Sequence, residues 1–158
     1  MTFWSDANIP EPTRKYRFQI DFGGSILWWA KSASKPGFEI NTNKYTAINH
    51  SIEFPGILTW NDVTITVVDV GKKTKGYYDD LASIGYKAPI GPNVAGGIEK
   101  KESKSLKIEQ VDAEGVPVET WVLHNYIIKS VNFGDLSYDD DGLVELQLTI
   151  AYDWAELK

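Results

Sequence analysis

The sequence predicts a mainly β protein: an antiparallel β-sandwich or barrel with one short α-helix. Three observations lead there. Apolar and polar residues alternate with period two in several separate runs, most cleanly from Val144 to Tyr152. β-branched residues fill such runs, as in Val63-Thr64-Ile65-Thr66-Val67-Val68. Turn signals built on Gly, Pro, Asn and Asp recur about every 10–15 residues, a spacing that suits antiparallel connections.

Each element has its own signal. Residues 1–13 read as a flexible arm, since Pro, Asn, Asp and Thr dominate and no period appears. A half-buried strand follows, with Tyr16, Phe18, Ile20 and Phe22 on one side and Arg17, Gln19 and Asp21 on the other. Gly23-Gly24 signals a tight turn, so Ile26 to Ala30 reads as the return strand of a hairpin, and Pro36-Gly37 ends it. Residues 38–54 are extended but polar, with Phe38, Ile40, Tyr45, Ile48, Ile52 and Phe54 too sparse for a core strand. They predict a projecting hairpin, punctuated by Pro55-Gly56. Val63, Ile65 and Val67 mark the next strand.

Residues 75–86 are the helix candidate: Tyr77, Leu81 and Ile84 share a face opposite Asp79 and Asp80, and Gly85 suits a C-terminal cap. Residues 87–104 read as a loop. Leu106, Ile108 and Val111 open a strand, Asp112-Ala113-Glu114-Gly115 turns it, and Val118 to Leu123 pairs back. Tyr126 to Phe133 continues as a bent strand, and Asp139-Asp140-Asp141-Gly142 turns into the last one. The sum is seven or eight strands and one helix in a single domain over residues 1–158. The predicted core is Phe18, Ile20, Ile26, Val63, Ile65, Val67, Leu81, Ile108, Trp121, Leu146, Leu148 and Ile150.

Composition excludes several classes. The 158 residues, 42% hydrophobic and 24% charged, suffice to bury a core without disulfides or metal. Cysteine is absent, which removes thiolate metal sites and a cysteine nucleophile. No apolar run reaches the ~18 residues of a membrane span, and the first 16 residues lack a signal peptide's apolar stretch. A net charge of −6 argues against neutralisation of duplex phosphates. The charge is lopsided: residues 1–107 carry 14 basic and 11 acidic side chains, and residues 108–158 carry 2 and 11. Such a chain can meet a complementary patch on another copy, although a solvated acidic surface explains the count equally well.

Catalytic motifs are missing. There is no G-x-S-x-G elbow, and His124 sits in a strand pattern between Leu123 and Asn125, which suits a structural role. His50 falls in the polar hairpin. Gly71-Lys72 lacks the upstream glycine of a phosphate loop, where Thr66 stands. The consecutive acids Asp139 to Asp141 do not have the alternate spacing of a calcium loop. Paired carboxylates for glycoside hydrolysis find no support in the spacing. Six tryptophans do leave a second reading open, a carbohydrate-binding or adhesive module that stacks sugars on Trp28, Trp29 or Trp60. Against it, outward aromatics also suit a subunit interface.

Two stretches carry a resemblance. One runs from Tyr16 to Gly24, then Ala30-Lys31-Ser32-Ala33-Ser34-Lys35-Pro36-Gly37, Glu53-Phe54-Pro55-Gly56-Ile57-Leu58-Thr59-Trp60, and Val63 to Asp69. The other runs from Leu106 to Val111, then Gly115, Trp121-Val122-Leu123-His124-Asn125, Gly134-Asp135-Leu136-Ser137-Tyr138, and Glu145 to Asp153. Together they resemble the major tail tube proteins of contractile-tailed, T-even-like bacteriophages. Related tubes occur in phage-tail-like injection systems and type VI secretion. The likeness spans about Tyr16 to Trp154 and is most specific in the C-terminal half.

The resemblance implies a structural virion protein with no enzyme activity and no cofactor. Such subunits form hexameric rings that stack head to tail. The tape measure protein and then DNA occupy the channel, without sequence-specific binding. A sheath surrounds the tube, and a baseplate initiator and a tail terminator bound it. Assembly takes place in the host bacterial cytoplasm, and the product resides in the virion tail. The alternative within this class is the tube of an injection or type VI system. A length of 158 residues suits the repeating subunit, since baseplate-proximal relatives carry extra domains.

Candidate residues follow from that role. A wall that lets DNA slide is polar and neutral or acidic, so Gln19, Asp21, Thr64, Thr66, Glu145, Gln147 and Thr149 are candidates for it. Each could equally be an ordinary solvent-facing residue. The projecting hairpin supplies the candidate contacts between rings and subunits: Asn41, Lys44, Tyr45, Ile48, Ile52 and Phe54.

Overall fold

The computed structural model describes residues 12–22, 25–27, 29–71, 75–76, 79, 86–87, 91–92 and 104–158. Within them the alternating runs become strands of two sheets. The first sheet holds β1 (Phe18–Phe22), β2 (Ser25–Ile26), β9 (Ser105–Val111), β10 (Pro117–His124) and β13 (Trp154–Leu157). Its order is β13-β10-β9-β1-β2, antiparallel throughout. The second sheet holds β3 (Ala30–Ala33), β6 (Val63–Val68), β11 (Ile127–Asn132) and β12 (Glu145–Ala151), in the order β11-β12-β6-β3, also antiparallel. A separate two-stranded sheet pairs β4 (Phe38–Ala47) with β5 (His50–Trp60), and a short one pairs β7 (Tyr86–Lys87) with β8 (Gly91–Pro92).

Period two decides what is buried. In β6, Val63, Ile65 and Val67 point inward, and in β12 Leu146, Leu148 and Ile150 meet them from the neighbouring strand. Ile20, Leu106, Ile108 and Leu123 close the core from the first sheet. Each such aliphatic side chain contributes roughly 1.5–3 kcal/mol by leaving water. Lys35, in the segment after β3, and Glu119 on β10 add an ion pair at 2.9 Å.

Two of the passages between the sheets share a pinned corner. Asn125 ends β10 with φ of 54°, a conformation asparagine tolerates better than most residues. Its amide donates to Asp153 Oδ2 at 3.0 Å, and the Asp153 N–H donates to the His124 carbonyl at 3.1 Å. The outgoing path into β11 and the return path from β12 to β13 are thus held together. Tyr126 lies buried behind the corner, edge-on to Phe22 at 5.1 Å. The Asp112 turn is held likewise, its carboxylate accepting from the N–H groups of Glu114 and Val116 at 3.0 and 2.8 Å.

Several expectations change. Ile26 is not core: the register sets it opposite Asp21 on the outward face, and it is 38% exposed. The return strand stops there, because Ala30–Ala33 joins the other sheet instead. Tyr16 lies before β1, exposed, with the Arg17 guanidinium 5.4 Å from its ring centroid. Val111 yields the inward position to Gln110, whose amide donates to the Arg14 carbonyl at 3.1 Å. Tyr126 to Phe133 is no continuation of β10 but a strand of the opposite sheet, since the chain turns at Asn125. Helical backbone is present at Lys75, Gly76 and Asp79, whereas Tyr86, at the predicted helix end, is in β7. Leu81, the rest of that helix and residues 1–11 of the predicted arm lie outside the described residues.

Candidate functional site

The surfaces, rather than a cleft, hold the unusual residues. Every residue of β4 and β5 is exposed except Trp60. This hairpin therefore stands away from the sandwich while carrying Phe38, Ile40, Tyr45, Ile52, Phe54, Ile57 and Leu58, with Ile48 in its turn at 95% exposure. A two-stranded hairpin is marginal in water without cover on a face. Residues 38–54 are thus extended, as the sequence implied, and the pairing reaches further, to Trp60.

Register shows how the apolar residues divide. Directly paired residues share a face, and faces alternate along a strand. Near the base, the pairs Phe38–Trp60 and Ile40–Leu58 share one face. The register then shifts between Ile40 and Thr42, where three steps along β5 match two along β4. Beyond that bulge the same face carries Thr42–Pro55, Lys44–Glu53 and Thr46–Ser51. The apolar residues Phe54, paired with Asn43, and Tyr45, paired with Ile52, now occupy the opposite face. Gly56 makes the bulge possible, since a Cβ there would lie 2.7 Å from the Asn41 carbonyl oxygen. Among the described residues, the base has cover from its own chain: Trp60 packs against Phe38 at 5.4 Å and Tyr152 at 5.9 Å, and the Tyr152 hydroxyl donates to the Asn61 carbonyl at 2.7 Å.

The six predicted contact residues consequently separate. Tyr45, Ile52 and Phe54 share the apolar face of the tip, and Ile48 crowns the turn. Lys44 lies on the polar face opposite Glu53, and Asn41 belongs to the bulge.

The seven predicted wall residues also separate, into two sheets. Thr64, Thr66, Glu145, Gln147 and Thr149 lie on the outward face of the four-stranded sheet. Two rows cross it: Ser32–Thr66–Gln147–Asn132 and Thr64–Thr149–Ser130. The seven side chains of these two rows are all uncharged hydrogen-bonding groups. Glu145 at the margin is ion-paired with Lys31. Gln19 and Asp21 lie instead on the outward face of the five-stranded sheet, on the far side of the core. There the rows are charged: Asp21–Lys107–Val122–Glu156, and Gln19 bonded to Glu109. On the same face His124 stacks on Trp154 at 3.7 Å, with Glu156 3.6 Å from its Nε2.

A second apolar surface has no counterpart in the sequence reading. The loop 133–144 between β11 and β12 exposes Phe133, Leu136, Tyr138 and Leu143, the last three by 75% or more. No period marks them, so only their mixture with Asp135 and Asp139 to Asp141 hints at a surface loop. Gly134 shapes its start with φ of 86°, 2.7 Å from the Glu145 carbonyl oxygen by its absent Cβ. A groove of about 430 Å³ opens beside it, between Leu143 and Gln147. Among the described residues, no three His, Cys, Asp or Glu side chains cluster as metal ligands. Trp29 is 48% exposed, Trp60 is held by Phe38 and Tyr152, and Trp28 lies outside the described residues.

No protein-family model and no curated protein matches the chain. Solved structures do. The chain is similar to a chain of the anti-feeding prophage cap, the AFP tube-terminating cap, with a TM-score of 0.79 and 17% identity over 100% of this chain and 99% of that one. It is similar to a chain of the PVC sheath/tube terminator of an extracellular contractile injection system, with a TM-score of 0.77 and 18% identity over 95% and 99%. A chain of the PVC sheath–tube complex in the extended state matches with a TM-score of 0.77 and 18% identity over 100% and 99%. The chain therefore shares its mainly antiparallel β fold with chains of these tube, cap and terminator assemblies.

Proposed function

We propose that this chain is a non-enzymatic tube subunit of a contractile tail or injection apparatus, forming stacked six-membered rings. One observation carries the reading: the β4–β5 hairpin leaves most of its apolar surface exposed, without cover from the other described residues. The sheet borders point the same way. In the four-stranded sheet, β11 and β3 each have one strand neighbour among the described residues. Unpaired borders are pairing hazards for a solitary molecule, and a ring removes them by continuing each sheet into the next. Full-length likeness to chains of a sheath–tube complex and of tube terminators supports the same role.

The four-stranded sheet faces the channel in this proposal. Its uncharged Thr, Ser, Gln and Asn rows neither grip phosphates nor repel them, which suits a conduit for DNA or another polymer. The charged five-stranded sheet, with Gln19 and Asp21, then faces outward to the sheath. Baseplate and terminator proteins meet the two ends, the tape measure protein precedes DNA in a phage tail, and the particle is a phage tail or its injection-system relative.

A second reading is the terminator or cap at the tube's end, because two of the matching chains come from cap and terminator assemblies. Negative-stain electron microscopy of the purified chain over a concentration series tests both. Rings that stack into fibres support the tube subunit, and single rings that never stack support the cap. A monomer at every concentration, also with a baseplate template, overturns both.

A further inference from the structure

We propose that the tip of the hairpin of one copy docks onto loop 133–144 of the next copy along the tube. This rests on the tube reading and names the two surfaces that stack. The hairpin's base is already served by its own chain through Trp60 and Tyr152. The bulge at Ile40–Thr42 then moves the apolar residues to the other side, so Tyr45, Ile52 and Phe54 turn away from the side that Trp60 anchors. Ile48 extends beyond them.

The matching surface lies on the same molecule, at the far end of the same sheet. β5 leads into β6 at Val63, which pairs with Ile150. Loop 133–144 leads into β12 at Glu145, which pairs with Val68 at the opposite end of β6. The root of the hairpin and loop 133–144 thus lie at opposite ends of β6; two different apolar surfaces make a heterologous contact, and a heterologous contact that does not close on itself generates a filament.

Size also points to a second copy. Each surface presents four large apolar side chains, all at least 41% exposed. That is on the order of 400 Å² per copy, comparable to the largest apolar patch a lone soluble chain tolerates and below the ~800 Å² per partner of a stable pair. One such contact is too small to hold a dimer. Six repeated around a ring are enough, so stacking is cooperative.

The chain has no cysteine, so thiols placed on the two surfaces report on this contact alone. Ile48→Cys and Leu136→Cys are introduced together, and the assembled protein is oxidised with diamide and run on a non-reducing gel. The expected result is a ladder of multimers well beyond dimer. Ile48→Cys with Val118→Cys, which sits 57% exposed in the other sheet, is expected to give none. Fibres in the microscope without a ladder, or equal ladders from both pairs, overturn the contact. A ladder without fibres or rings keeps the contact and overturns the tube reading. Neither ladder nor fibres overturns both. Because a thiol pair can disturb local packing, Leu136→Asp is the second probe: unchanged melting with loss of stacked rings is expected, and normal stacks overturn the proposal.

Discussion

Leu148 and Ile48 are both large aliphatic residues of β-rich segments, yet Leu148 is fully buried and Ile48 is 95% exposed. The inward rows of the sandwich and the hairpin differ in this way. In the sandwich each apolar row meets another from the facing sheet, so burial is complete within one chain. In the hairpin the apolar residues are as large, but they change sides at a bulge, and among the described residues it is the base that is covered. The sandwich stabilises the subunit. In the proposed tube the apolar surface of the hairpin serves a neighbouring copy instead. Substitutions in the two regions should therefore separate folding from assembly.

The largest effect belongs to the sandwich. Leu148→Ala removes a fully buried side chain between Ile65 on β6 and Val131 on β11 and should cost ~2–5 kcal/mol of unfolding free energy. Urea denaturation of the unassembled chain measures it. A cost below ~1 kcal/mol would mean that the site collapses around the gap, or that the sheet is not packed as described.

This central part was legible because burial on one face forces strict alternation. Val63, Ile65, Val67, Leu146, Leu148 and Ile150 were all predictable from period two. Other parts were not, for identifiable reasons. Tyr126 to Phe133 reads as a bent continuation of Val118 to Leu123, yet a left-handed Asn125 divides the two between sheets, and φ leaves no mark on apolar spacing. β13 has only four residues, with Ala155 alone buried, too short to show a period. The two outward faces of a sandwich have the same polar alternation, so Gln19 and Asp21 were grouped with Thr64 and Gln147 although the core lies between them. The apolar residues of loop 133–144 follow no period because no sheet orders them.

Glycine substitutions give the next largest effect and probe where the sandwich yields to its loops. Gly134 and Gly115 both have left-handed φ, 86° and 83°. A Cβ at Gly134 would meet the Glu145 carbonyl oxygen at 2.7 Å, whereas nothing lies within 4 Å at Gly115. Alanine should cost roughly 1–3 kcal/mol at Gly134, where strain and collision add, and about 1 kcal/mol at Gly115. Parallel thermal melts of the two variants check the order, and equal shifts would show that the crowding at Glu145 relaxes freely.

A smaller effect comes from the Lys35–Glu119 ion pair. The Lys35 ammonium, hydrogen-bonded to Glu119, holds that carboxyl below its ordinary value; burial opposes this, and the Trp121 indole N–H adds to the lowering. A carboxyl whose folded pKa is depressed contributes stability above its unfolded pKa and loses it as pH falls through the folded one. The pair is partly exposed, so the contribution is about 0.2–1 kcal/mol. Glu119→Gln keeps an acceptor for the indole and removes the charge. It should reduce the loss of stability between neutral and acid pH, measured as urea midpoints, while leaving the Trp121 environment intact by fluorescence.

The smallest effect on folding falls on the hairpin, and it is the sharpest test of the comparison. Ile48→Asp with Ile52→Asp places two charges on the tip where water already reaches both positions. Removing exposed apolar groups forfeits no core contact, so the unfolding free energy should stay within about 0.5 kcal/mol. Assembly should respond in the opposite way, because a carboxylate forced against the apolar face of another copy must be desolvated without a partner. Sedimentation and negative-stain images should show a folded chain with no stacked rings. If instead the monomer lost stability by more than ~1 kcal/mol, the tip would be covered by its own chain, and the division between a self-sufficient sandwich and a hairpin kept for a neighbour would fail.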